Sequence, residues 1–186
     1  MMTLKMDPNS LAASLQVEKK RPDPVIRDDL DMRIARDGTW FYHGSLIGRK
    51  PLVKLFASVL NRDEDGVYWL TTPAEKGRVE VDDAPFLAVE LTVSGAGGDQ
   101  VLRFRTTLDD EVTADGDHPL RVALDPKTGE PSPYVLVRGR LEALINRSVF
   151  YELVEHGVEE AIAGKTLFGV WSVGRFFPLG SLGEPP

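Results

Sequence analysis

The spacing of apolar residues along the chain predicts two amphipathic helices separated by a long strand-rich segment. In the first, over residues 51–60, apolar side chains recur at helical spacing, which indicates one face turned toward a core. A second helix is predicted from residue 146 to about residue 163. Between the helices, residues 86–93 and 101–107 alternate or run apolar on either side of a glycine-rich turn, as paired strands do.

Further strands are predicted on both sides of this pair. Residues 67–72 and 78–81 form a hairpin around a turn at 73–77, and other strands are predicted at 112–113, at 120–124, from 134 onward and across 170–177. Strands dominate, the helices come singly, and no regular alternation of strand and helix demands a parallel sheet. The predicted fold class is therefore α+β with mostly antiparallel sheets.

Two segments about one hundred residues apart echo each other. Residues 46–55 read LIGRKPLVKL and residues 144–153 read LINRSVFYEL, with four identical positions and a strand-like run before each. Each is followed by Gly-Val and a tryptophan, and Gly48 and Asn146 occupy the predicted cap positions of the two helices. We expect two related strand–helix–strand units. The alternative is a chance resemblance between two amphipathic helices.

The positions of proline and glycine residues suggest the domain organisation. Residues 1–24 contain Pro22 and Pro24 and are predicted to be a flexible amino-terminal arm. Residues 25–124 form the predicted amino-terminal α+β half. A connector at 125–133, rich in proline and glycine, opens the carboxy-terminal half at 125–180, and a frayed tail is expected at 181–186. A concave site is expected in the cleft between the two halves.

Composition narrows the classes of partner and compartment. The 186 residues carry a formal net charge of −7, which disfavours nonspecific nucleic-acid binding because phosphate requires a field of cations. The chain has no cysteine, no secretory signal pattern and no apolar run long enough to span a membrane. We therefore expect a cytoplasmic protein without a nucleic-acid or membrane partner.

No motif predicts catalysis, a metal or a cofactor. The run Gly95–Gly98 lies between two strands and lacks the following lysine and hydroxyl residue of a phosphate-binding loop. His43, His118 and His156 are scattered without metal-binding spacing. Ser45 stands in no nucleophile motif. No catalytic or metal-binding residue and no cofactor are therefore predicted.

The richest polar constellation lies at residues 71–78, where hydroxyls, a carboxylate and two cations are concentrated in a predicted turn. These groups could bind an anionic ligand while an adjacent tryptophan stacks on it. The alternative is an ordinary polar hairpin tip. The candidate ligand-binding residues are Arg49, Trp69, Thr72, Glu75, Lys76, Arg78, Arg138 and Trp171.

Arg49 and Arg147 occupy matching positions in the two echoing segments, each at the predicted start of a helix. A cation is unfavourable at that end of the helix dipole. Either a bound anion or a structural carboxylate partner, such as Asp37 or Glu142, would resolve this conflict.

A series of ordered motifs runs through residues 28–180. The motifs are DLDMRI at 29–34, DGTWFYHGS at 37–45, LVKLFASVL at 52–60, TPAEKG at 72–77, DAPF at 83–86, DHPL at 117–120, YVLVRG at 134–139 and GVWS at 169–172. Their order resembles the bacterial domain-of-unknown-function family 1285. Leu46 departs from the pattern of that family, since proline is expected there.

The resemblance implies a repeated α+β unit, with a second half loosely like a pleckstrin-homology barrel. It also implies a cleft between the halves that binds a nucleotide-like ligand, and a role in signal transduction. The leading hypothesis is a non-catalytic module that binds a small anionic, nucleotide-like ligand. A protein-interaction adapter without a small ligand is the alternative, and a hydrolase-type enzyme ranks third.

Overall fold

The computed structural model describes residues 23–181 and confirms an α+β fold with mainly antiparallel sheets. The predicted amino-terminal arm, except its last two residues, and the tail beyond Ser181 lie outside the described residues. The chain divides into two compact units, Met1–Asp82 (unit 1) and Asp83–Pro186 (unit 2). The boundary therefore falls earlier than the connector predicted at 125–133.

Over residues 23–82, unit 1 consists of a seven-stranded sheet and one helix. The elements are β1 Val25–Arg27, β2 Met32–Ile34, β3 Trp40–Tyr42, β4 Ser45–Leu46, α1 Lys50–Ser58, β5 Leu60–Arg62, β6 Tyr68–Thr71 and β7 Glu75–Val81. The strand order is β4-β3-β2-β7-β6-β5, with β1 off this path. The long strand β7 is the centre of the sheet, because β6 pairs with one edge in antiparallel fashion while β1 and β2 pair with the other in parallel.

The core of unit 1 contains one face of α1 and one face of the sheet. The helix buries Val53, Phe56 and Ala57. The buried face is therefore rotated from the predicted one, whose members Leu52, Leu55 and Val59 are half-buried and of which only Phe56 and Leu60 are buried. The cap of the helix differs from the expectation: the N-cap residue is Arg49, which provides no side-chain cap, and not Gly48. The helix ends where the chain turns into β5 at Leu60.

Unit 2 contains a six-stranded sheet, whose strands β8–β13 span residues 86–145 in the order β10-β9-β8-β13-β12-β11, and a three-stranded sheet, whose strands β14–β16 span residues 158–181 in the order β14-β15-β16. The elements are β8 Phe86–Ser94, a 3₁₀ turn Gly97–Asp99, β9 Val101–Thr106, β10 Glu111–Thr113, β11 Leu120–Leu124, β12 Pro131–Arg138, β13 Leu141–Ile145, α2 Arg147–Glu155, β14 Val158–Ile162, β15 Lys165–Ser172 and β16 Arg175–Ser181. Within the larger sheet, β13 and β8 run parallel and the other pairs are antiparallel.

A buried serine joins the two sheets of unit 2. Ser172, fully buried at the end of β15, accepts a hydrogen bond from Leu102 N at 3.0 Å and donates one to Ala114 O at 2.6 Å. Gln100 adds a side-chain hydrogen bond to Trp171 O at 2.8 Å. Because these donors and acceptors are paired across the junction, the smaller sheet is held at a defined position on the larger one.

The second helix is shorter than predicted. Asn146 caps it as expected, accepting a hydrogen bond from Val149 N at 3.0 Å, but α2 ends at Glu155 and residues 158–162 form β14. Gly157 follows the helix at a position where only glycine fits, since a Cβ on this residue would lie 2.1 Å from Phe168. Strand β14 is an edge of its sheet and is mostly exposed.

The structure differs from two further expectations, which concern the connector and the two echoing segments. Leu124 and Pro131 pair directly, so the connector at 125–133 includes the tip of the β11–β12 hairpin inside unit 2. Both echoing segments lead into a nine-residue helix, but Val53 of α1 is buried whereas its counterpart Tyr151 of α2 is exposed. The two helices thus bury different positions of the shared frame, and duplication stays a prediction.

Candidate functional site

The alternation of β7 places charged side chains on one side of the sheet in unit 1. Gly77 and Val79 are buried, whereas Arg78 and Glu80 are exposed and Lys76 is half-buried. Side chains two residues apart on a strand share a face. Lys76, Arg78 and Glu80 therefore form a row on the side opposite the core.

The neighbouring strand adds an aromatic side chain to this row. Trp69 of β6 is directly opposite Arg78, and Lys76 Nζ lies 4.5 Å from the centroid of the indole ring, a cation–π distance. The Trp69 Nε1 group donates a hydrogen bond to Asp63 Oδ2 at 2.7 Å, and this bond, with one from Val67 N, holds the pKa of Asp63 below its usual value. The indole is thereby fixed in orientation.

We call Trp69, Lys76 and Arg78 the binding face. Arg78 is exposed, and its guanidinium makes no ion pair or hydrogen bond within residues 23–181. A cation, an oriented aromatic ring and a second cation thus converge on one surface. This combination provides a stacking plane and two positive charges for a small planar anion.

Two predicted site residues from the same hairpin have structural roles instead. Thr72 is buried, and its hydroxyl oxygen accepts hydrogen bonds from Ala74 N at 3.3 Å and Glu75 N at 3.0 Å while it closes the turn. Glu75 lies on the opposite side of β7 from Lys76 and pairs with Arg27 at 2.9 Å. The turn is tighter than predicted, because Thr71 already pairs with Lys76.

A cavity of about 230 Å³ opens on the same side of the sheet beside Glu80. Arg33, which is opposite Glu80 in β2, binds Asp82 through two hydrogen bonds of 2.8 and 2.5 Å, and the bond from Arg33 lowers the pKa of Asp82. The cavity is lined by Asp29, Asp31, Met32, Arg33, Phe41, Gly44 and Glu80.

A tight turn borders the cavity. His43 and Gly44 both have positive φ, 48° and 74°, and connect β3 to β4 as a two-residue hairpin loop. His43 Nδ1 lies 2.5 Å from Asp31 Oδ2, and His43 N donates to Asp31 O at 2.9 Å. These contacts fix one carboxylate of the cavity wall.

The two arginines at the helix starts differ in their surroundings. Arg49 is exposed at the N-cap of α1, whereas Arg147 in α2 is ion-paired with Glu130. Glu142, suggested as a carboxylate partner, is instead bound by Arg121 at 2.5 Å. Of the two alternatives, Arg147 therefore has a structural carboxylate partner, which is Glu130 and neither of the two examples suggested.

Two predicted site residues belong to unit 2. The Arg138 guanidinium carbon lies 5.2 Å from the Phe86 ring centroid. Trp171 donates from Nε1 to Glu160 Oε1 at 3.1 Å and packs against Phe176, with ring centroids 5.6 Å apart. Both side chains therefore have internal contacts within their own unit.

Sequence patterns missed the residues that extend the binding face. Phe41, Arg33 and Glu80 lie in register across β3, β2 and β7. This row follows from the parallel pairing of β2 with β7, and local composition does not predict which strands pair. The period of two within β7 is the one signal that would have placed Glu80 beside Arg78.

The described residues also bear on metal sites and membrane-spanning helices. Within residues 23–181, no group of three or more histidine, aspartate or glutamate side chains is arranged to hold a metal ion. Over the same residues, no helix is long and apolar enough to cross a membrane.

Comparison with known proteins identifies relatives across nearly the whole chain. A crystal structure of a DUF1285 family protein from Silicibacter pomeroyi DSS-3 is 48% identical, covers 92% of this chain and 94% of its own, and superimposes with a TM-score of 0.80. A DUF1285 family protein from Shewanella baltica OS155 is 28% identical, with coverage of 67% and 90% and a TM-score of 0.52. No curated protein gave a match.

Family models match both parts of the chain. Residues 17–84 match the domain of unknown function DUF1285, N-terminal domain, and residues 85–179 match the protein of unknown function DUF1285, C-terminal domain. The junction between the two matches agrees with the division of the structure after Asp82. The ordered motifs, the two-unit fold and these matches together show that the chain belongs to the DUF1285 family.

Proposed function

We propose that this protein is a non-catalytic module that binds a small anionic, nucleotide-like ligand on the binding face of unit 1. The observation that carries the proposal is the arrangement of Lys76 over Trp69, with Arg78 beside them and without an ion-pair partner in residues 23–181. An exposed cation that no carboxylate neutralises is available to an anionic group.

The neighbouring contacts support a stacking role for Trp69. Its Nε1 group is already bonded to Asp63, so the ring plane is held before any ligand arrives. Preorganisation of this kind lowers the entropic cost of binding. A planar ligand can therefore stack on the indole while its anionic group contacts Arg78.

A thermal-shift screen tests the proposal. The purified protein is heated with nucleotides, cyclic and modified nucleotides, sugar phosphates and acidic metabolites. A ligand at a hundredfold excess over its Kd stabilises the folded state by about 2.7 kcal/mol. For a chain of this size, this raises the melting temperature by several degrees.

Substitutions in the binding face test whether a shift in melting temperature arises from binding there. Arg78→Ala and Lys76→Ala should abolish the shift produced by any active compound. Arg103→Ala is the matched control, because Arg103 is also an exposed strand arginine but lies in β9 of unit 2 near Glu111. A shift that survives Arg78→Ala, or a panel with no active compound, would refute the proposed site.

Two finer features remain part of the proposal and rest on the family resemblance. One is a role in signal transduction. The other is a pleckstrin-homology-like barrel in unit 2, for which the two sheets joined through Ser172 give support. A binding module needs no catalytic group to act in this way, because occupancy itself is the signal.

One observation favours the protein-interaction adapter as a second candidate. Exposed apolar side chains of α2 and β14, among them Tyr151, Val158 and Ile162, accompany an edge strand of unit 2. Edge strands and apolar patches are typical contact surfaces for proteins. Affinity capture with the intact protein and with a Tyr151→Ser, Ile162→Ser variant distinguishes the two functions, since only the adapter loses its partner.

A further inference from the structure

The charge along β7 changes sign beside the binding face. Arg78 and Glu80 are both exposed and point to the same side of the sheet. Two residues along a strand are separated by about 6.6–6.8 Å. A positive and a negative group are therefore presented side by side, at a distance that one small molecule can span.

Glu80 keeps its carboxylate available. Within residues 23–181 its side chain makes no hydrogen bond or ion pair, although Arg33 lies opposite it in the sheet. The guanidinium of Arg33 is bound through two nitrogens to both carboxylate oxygens of Asp82. The guanidinium opposite Glu80 is thus already engaged by another carboxylate.

The cavity beside Glu80 adds further groups that favour a positively charged ligand. Three carboxylates, from Asp29, Asp31 and Glu80, line it together with the single cation Arg33. Its volume of about 230 Å³ exceeds that of several water molecules, each of which occupies about 30 Å³. An amine with a short carbon chain fits this space.

Phe41 adds an aromatic wall to the cavity. Arg33 stands 5.9 Å from the Phe41 ring centroid, so the ring already contacts one cation. The face of an aromatic ring attracts ammonium groups as well as guanidinium groups. Carboxylates and an aromatic ring together favour an organic ammonium group over a second anion.

We infer that the ligand of this protein is zwitterionic, with its anionic group on Arg78 and Lys76 and its ammonium group in the cavity against Glu80. This inference rests on the proposed function for the anionic half and adds the amine. It distinguishes amino-bearing phosphates from simple phosphate esters, which the binding face alone would treat alike.

A matched pair of probes tests the amine directly. O-phosphoethanolamine and ethyl phosphate share the phosphate ester and the two-carbon chain and differ in the amine. Calorimetric titration in buffer free of phosphate and amines should show O-phosphoethanolamine binding about tenfold more tightly, the ratio expected for one charge-assisted contact. Ethanolamine serves as the probe for the amine alone and should bind more weakly than either phosphate.

Two substitutions separate failure of the inference from failure of the proposed function. Glu80→Gln should make the two phosphates bind equally and leave ethyl phosphate unchanged, whereas Arg78→Gln should weaken both. Glu111→Gln, in an exposed strand of unit 2, is the control and should alter neither. If both phosphates bind with equal affinity and depend on Arg78, the zwitterion is refuted and the anion site stands. If neither binds, or neither depends on Arg78, the zwitterion is refuted as well, and the anion site is then judged separately by the nucleotide panel and its loss in Arg78→Ala.

Discussion

Replacement of Gly77 by alanine is a direct test of the packing behind the binding face. A Cβ at this position would lie 2.2 Å from Leu30 Cγ and 2.4 and 2.5 Å from its two methyl carbons. All three are far below van der Waals contact, so the whole end of the leucine side chain must move. Overpacking of this kind costs about 1–3 kcal/mol.

The assay is denaturant or thermal unfolding, and each kcal/mol should lower the melting temperature by about 2–4 °C for a chain of this size. Gly180→Ala is the matched control, because Gly180 also lies in a strand but has open space at its Cβ position. Leu30→Ala should relieve the clash, so the double variant must be more stable than the sum of the two single effects predicts. Additive effects, or a loss for Gly77→Ala no larger than for Gly180→Ala, would refute the packing argument.

Three further predictions address other parts of the fold. Ser172→Ala should lower the free energy of unfolding by about 1–3 kcal/mol, because it leaves two buried backbone groups without partners; urea titration measures this. Burial and a hydrogen bond to Asp83 raise the pKa of Tyr134 to about 12. The free energy of unfolding should therefore fall as pH rises from about 10, the pKa of tyrosine in the unfolded chain, toward 12. Unfolding of Tyr134→Phe measured across pH should lack this alkaline loss. Asn146→Ala should destabilise by about 1 kcal/mol, whereas Arg49→Asp should stabilise by a similar amount by supplying the missing cap of α1; thermal unfolding checks both signs.

The sequence predicted best where local pattern and tertiary packing agree. The β8–β9 pair and helix α1 appear close to their predicted positions, because strand alternation and helical spacing are both local signals of an element with one buried face. Strand β13 was missed, since the residues LEALI favour a helix as readily as a strand. Its state is set by its pairing with β12 and β8, which lie elsewhere in the sequence.

The candidate site was likewise predicted in part. Trp69, Lys76 and Arg78 were predicted together and do share one face of the sheet. Glu75 was grouped with them because the turn was expected to extend through Gly77. In the structure Glu75 is already in β7, where alternation turns it away from Lys76.

The edge position of β14 has a consequence for how copies of this protein behave in concentrated solution. An exposed strand edge is a template on which another chain can add a strand. Glu159 and Glu160 lie in the middle of this strand, so two copies that approach edge to edge bring like charges together. Replacing both glutamates by glutamine removes the repulsion while the edge remains. Self-association should therefore be stronger in the Glu159→Gln, Glu160→Gln variant, and light scattering of the two folded proteins at increasing concentration would record the difference.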